Sequence, residues 1–129
     1  MNNTIAEHQR EQQTILLPLQ QFEDIDVTQV GGKGAGLIRC QQAGLPIPEA
    51  YIIPASVYTE WFSPFKQDIQ HILVDTHSAQ EKSSAVREFL AKQILPQALI
   101  ESLIDLQSRL TDTFFAVRSS GSAEDLPGA

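Results

Sequence analysis

Apolar and polar positions alternate in two rhythms along the 129 residues, one short and strand-like, the other helical. The apolar run TILLPL at 14–19 predicts a strand, with Pro18 pushing it towards a sheet edge or its own end. EDIDVTQVGGKG, 23–34, is rich in turn residues and predicts a loop. AGLIRCQQAG follows as a helix closed at Gly44, with its start expected at Gly34 or Ala35. In LPIPEAYIIP, Pro46 and Pro48 push the preceding residues out of helical space, so the segment predicts an extended entry and a brief strand at 50–53.

After Pro54 the spacing turns helical. Val57, Trp61 and Phe62 share one side of ASVYTEWF, and Phe65, Ile69, Ile72 and Leu73 share one face of the next stretch. Ser78 and Glu81 have the spacing of a capping box and open a helix carrying Val86, Phe89 and Leu90. Pro96 can occupy the first turn of a further helix, striped by Leu99, Leu103, Leu106 and Leu110. TFFAVRSS, with Phe114, Phe115 and Val117, returns to strand character. The fold class expected is α/β, short strands with a helical insertion. Residues 1–13 are polar and glutamine-rich and predict a flexible tail before a partial domain at 14–129. The turn-rich stretch SSGSAEDLPGA follows an apolar strand, so the natural chain is expected to continue past Ala129.

Charge narrows the chemistry. A net charge of −7 makes nucleic acid and anionic membrane unfavourable partners, so any phosphate must be held by a few placed cations and backbone amides. The single cysteine, Cys40, excludes an internal disulfide. Without an apolar signal segment or spanning stretch in the sequence, a cytoplasmic location is expected.

Two stretches carry candidate chemistry. VGGKGAGL, residues 30–37, surrounds Lys33 with glycines, which let backbone approach a ligand closely. With a helix starting just after it, unpaired first-turn amides would point back at Lys33 and favour a phosphate. A tight turn with a solvated lysine is the plainer reading of the same residues. The Walker A pattern fails at Val27 and Gly34, and the dinucleotide pattern fails at Leu37. In FAVRSSGSAEDLPGA, Arg118 and the following Ser119, Ser120 and Ser122 can offer a planar fork and hydroxyls to an anion. An ion pair of Arg118 with Glu124 or Asp125 is the structural alternative.

Together with the proline-rich AGLPIPEAYIIP between them, these stretches resemble the N-terminal nucleotide-binding region of the phosphoenolpyruvate synthase and pyruvate, phosphate dikinase family. The resemblance implies the N-terminal lobe of an ATP-grasp fold. It implies that Lys33 is the phosphate-binding lysine, Arg118 the ATP-contacting arginine and Gly32 and Gly34 the close-approach backbone, with Ser119 and Ser120 shaping the arginine loop. Gly36 stands where the family often carries asparagine. The implied reaction passes the β-phosphoryl of ATP to a histidine on a mobile domain and on to a substrate such as pyruvate. Magnesium is implied to bridge the phosphates, its ligands lying outside this chain, and no catalytic residue is expected within it. His8, His71 and His77 lack the surroundings of the family's phosphorylated histidine. Alternatives are a dikinase using inorganic phosphate, a lobe like that of rifampin phosphotransferase, and a stand-alone binding module without catalysis.

Overall fold

The structure, a computed structural model, describes residues 15–122. The tail expected at 1–13, the first residue of the strand expected at 14–19, and Glu124 and Asp125 lie outside the described residues. Two short strands form the sheet: β1, Leu17–Pro18, runs antiparallel to β2, Tyr51–Ile52, with Leu17 opposite Ile52 and Pro18 opposite Tyr51. The strand expected at 14–19 is thus cut to two residues. Pro18 has no N–H to extend the ladder, and the chain turns into a 3₁₀ turn, Leu19–Gln21.

Helix α1, Val27–Gln42, is the element that positions the site. Asp26 caps it, accepting from the Thr28 amide at 3.0 Å and the Thr28 hydroxyl at 2.6 Å. Gly31 breaks it after one turn, with φ 71° and ψ 174°. The loop expected over 23–34 is therefore corrected: Val27 to Val30 already form a turn of helix, and the main helical run begins directly after Gly31 rather than at Gly34 or Ala35. The capping signal was Asp26 and Thr28. At the other end the Gly44 amide donates to Gln41 O and the Leu45 amide to Cys40 O, with Gly44 at φ 75°. That is the paired-bond helix stop a glycine permits.

Leu19, Val30, Ala35 and Ile38 form the core around α1, and Phe22, Ile25, Leu37, Ile47 and Ile52 pack against them. Ile38 is wholly buried, and Leu19 nearly so. The Ser56 amide donates to Gln29 Oε1 at 3.2 Å and ties α1 to the start of α2, Ala55–Phe62. After a 3₁₀ turn at Ser63–Phe65 come α3, Lys66–Asp75, α4, Ala79–Ala91, and α5, Gln97–Arg109. Edge-on aromatic contacts link Trp61 to Phe65 at 5.4 Å and Phe65 to Phe89 at 5.9 Å, joining α2 to α4. Ser78 caps α4 by accepting from the Glu81 amide at 3.1 Å, as its spacing predicts. Of the leucine stripe on α5, Leu99 and Leu106 are buried while Leu103 is exposed.

The third expected strand does not form. Residues 113–121 run outside any helix or strand, and Phe114 and Val117 are almost fully exposed. Strand propensity needs a neighbouring backbone to become a strand, and none among the described residues pairs with this segment. Among the described residues the architecture is mixed and mostly helical, with one two-stranded sheet.

Candidate functional site

The two glycine- and serine-rich stretches, 86 residues apart, meet at the break in α1. A continuous helix would carry a hydrogen bond from the Gly34 amide to Val30 O. Here the Ser120 hydroxyl is inserted between them: it accepts from the Gly34 amide at 3.1 Å and donates to Val30 O at 2.8 Å. The side chain therefore completes the ladder that the kink opens. On one side of it, the Gly32 amide donates to Gly121 O at 2.9 Å. On the other, Lys33 Nζ donates to Ser119 O at 3.0 Å.

This geometry revises the picture of open amides pointing at Lys33. The Gly32 and Gly34 amides already have acceptors in the 119–121 turn, so the charge available to an anion comes first from side chains. Lys33 is half-buried with its ammonium held at the rim of the junction, and Arg118 is exposed at the residue preceding its acceptor, Ser119. Lys33, Gly32, Gly34, Ser119 and Ser120 are thus brought into direct contact, and Arg118 adjoins them through the chain.

The glycines divide by role. Gly31 has a backbone that disfavours any side chain, and a Cβ there would lie 2.2 Å from Ser120 Oγ and 2.5 Å from Ser120 O. Gly34 is buried, and a Cβ there would press on Val30 Cβ at 3.1 Å and Ile52 Cδ1 at 3.2 Å, so it lets α1 seat against β2. Gly36 faces open space. Sequence reasoning missed Gly31 and the Gly121 carbonyl. The doubled glycine before the lysine marks bare backbone, but nothing local says which of the two faces a distant serine.

Among the described residues no group of three histidine, cysteine, aspartate or glutamate side chains is placed to hold a metal ion. No helix of the described residues is long and apolar enough to cross a membrane.

Comparison with known proteins bears on the same stretch of chain. The family model for the pyruvate phosphate dikinase AMP/ATP-binding domain matches residues 27–129, beginning at the first residue of α1. A probable phosphoenolpyruvate synthase of Methanothermobacter thermautotrophicus is 32% identical over 124 residues, covering 84% of this chain and 18% of that protein. One from Methanocaldococcus jannaschii is also 32% identical over 124 residues, covering 86% of this chain and 10% of that protein. The phosphoenolpyruvate synthase of Pyrococcus furiosus is 27% identical over 156 residues, covering 84% of this chain and 19% of that protein. The chain thus spans between 10% and 19% of the length of these relatives. No solved structure gives a significant match. With the match running from the capped start of α1 through the serine turn bonded to it, the chain belongs to the pyruvate phosphate dikinase AMP/ATP-binding domain family.

Proposed function

We propose that this chain is the N-terminal, ATP-gripping lobe of an ATP-grasp phosphotransferase of the phosphoenolpyruvate synthase type. One observation carries the reading: the lysine turn and the arginine loop are bonded to each other, with Lys33 Nζ on Ser119 O at 3.0 Å. The bond sets the residue next to Arg118 on Lys33, which supports a reading in which two cations of different shape serve one site, in a chain whose net charge of −7 would otherwise repel a triphosphate. Lys33 supplies a compact charge and Arg118 a planar fork that can take two phosphate oxygens at once. In this reading Gly32 is the close-approach backbone, Gly34 seats α1 against β2, and Ser119 and Ser120 shape the arginine loop.

Phosphoryl transfer depends on alignment and charge neutralisation more than on covalent chemistry by the protein. In this reading the lobe's residues bind and orient the phosphates, and the histidine that receives the β-phosphoryl and the site for pyruvate belong to other parts of a longer protein. Magnesium would be the usual bridging ion, but the described residues do not offer a set of ligands for it.

The test is ATP binding by the full-length protein after Lys33→Ala and Arg118→Ala, measured by calorimetry. Each variant should weaken binding by about tenfold or more, the usual scale for losing a charged hydrogen bond. Parent-like affinity in both would overturn the assignment.

A further inference from the structure

We infer that Ser120 is the positioning residue that fixes the arginine loop in register with the lysine turn, an inference that rests on the nucleotide-binding reading above. Three consecutive residues touch α1, and two of them do so through backbone carbonyls, Ser119 to Lys33 and Gly121 to Gly32. Carbonyls are the same in every residue, so they do not determine which residue sits where. Ser120 alone engages through its side chain, using its donor on Val30 O and its acceptor on the Gly34 amide.

The socket is as specific as the plug. Only a residue without Cβ leaves the space at Gly31 that Ser120 fills, and Gly31 adopts a conformation essentially confined to glycine. Sliding the loop by one residue would withdraw the Ser120 hydroxyl from the broken ladder and carry Arg118 along the chain by about 3.3 Å. Such a shift is large against the precision that oriented phosphate contacts demand. Ser120 therefore acts through Arg118 and Lys33 rather than on the nucleotide itself.

The experiment uses the full-length protein with ATP as the probe. Affinities of the parent, Lys33→Ala, Arg118→Ala and the double variant give the coupling between the two cations. The same cycle is then measured in a Ser120→Ala background, with thermal melting as a check on folding. Ser120→Ala should weaken ATP binding about tenfold, and the coupling between Lys33 and Arg118 should fall towards zero. Ser120→Thr, which keeps the hydroxyl, should retain the coupling.

A serine that merely stabilises the fold would lower the melting temperature and leave the coupling as in the parent. That result, or parent-like affinity in Ser120→Ala, overturns the inference. Where Ser120→Ala does not fold, Ser120→Cys replaces it, since its longer and weaker thiol should still reduce the coupling; unchanged coupling then overturns the inference. If neither Lys33→Ala nor Arg118→Ala affects ATP affinity in the parent, the nucleotide reading has failed and this inference falls with it. If both do and the Ser120 background changes nothing, only the role of Ser120 has failed.

Discussion

Replacing Gly31 by alanine should be among the most damaging single-methyl additions in the chain. The new Cβ would stand 2.2 Å from Ser120 Oγ, 2.5 Å from Ser120 O and 2.6 Å from Ser120 C. Two of those atoms are backbone, so no side-chain rotation relieves the contact and the 119–121 turn must lift away. The backbone conformation, φ 71° and ψ 174°, adds about 1–3 kcal/mol for a residue with a Cβ. Losing the two bonds of the Ser120 hydroxyl adds about 2 kcal/mol. The sum, about 3–5 kcal/mol, is a large part of the roughly 5–15 kcal/mol by which a domain is stable. Equilibrium urea unfolding measures it directly, with Gly36→Ala as the control. A Cβ at Gly36 meets nothing within 4 Å, so helix propensity alone should stabilise that variant by about 0.5–1 kcal/mol. Ser120→Ala added to Gly31→Ala should cost little more, because the hydroxyl has already been expelled. A Gly31→Ala midpoint equal to the parent's, or full additivity of the two changes, would refute the idea that the kink is a seat for Ser120.

Other sites give sharper or milder outcomes. Ile38 is wholly buried at the centre of the core, so Ile38→Ala should cost about 2–5 kcal/mol in the same unfolding assay. Ser78→Ala removes the acceptor for the Glu81 amide at the start of α4 and should cost about 1 kcal/mol, with a matching loss of helical circular dichroism on heating. The Tyr51 hydroxyl donates to Glu49; this bond first, then burial and the neighbouring carboxylate charge, raise the phenol's pKa above its ordinary value. The folded chain thus holds that proton longer than the unfolded one, so the bond's contribution is complete below the ordinary phenol pKa of about 10 and is lost as pH rises through the raised value. Glu49→Gln should bring the Tyr51 ultraviolet titration back towards the ordinary range, and an unmoved titration would dismiss the carboxylate as the cause.

What the sequence made legible followed from local chemistry. Gly44 stops α1 by the two bonds its positive φ allows, Ser78 caps α4, and apolar spacing located the four helices after Pro54. The Lys33 and Arg118 stretches were visible as motifs, and their pairing came from the family resemblance rather than from spacing. The misreadings have physical causes too. The turn residues around Asp26 hid a capped helical turn because the same residue types serve both loops and N-termini. Phe114, Phe115 and Val117 carry strand propensity, yet pairing is a non-local property and the described residues supply no partner. The conformation of Gly31 was illegible for the same reason, since its meaning depends on a serine 89 positions away.

The junction at the break in α1 also dictates when it can form. Joining positions 86 residues apart from an unstructured chain costs about 4 kcal/mol of closure entropy. The four hydrogen bonds between the 119–121 turn and residues 30–34 return about 1 kcal/mol each, close to the same amount. The contact therefore has almost no surplus until α2 to α5 have folded and shortened the path between its ends. Such a clasp is expected to close late and open early. Local opening is then available while the core around Ile38 remains intact. In native-state hydrogen exchange, the Gly32 and Gly34 amides should lose protection well before that of Ile38, letting the loop that carries Arg118 come away from Lys33 without unfolding the core.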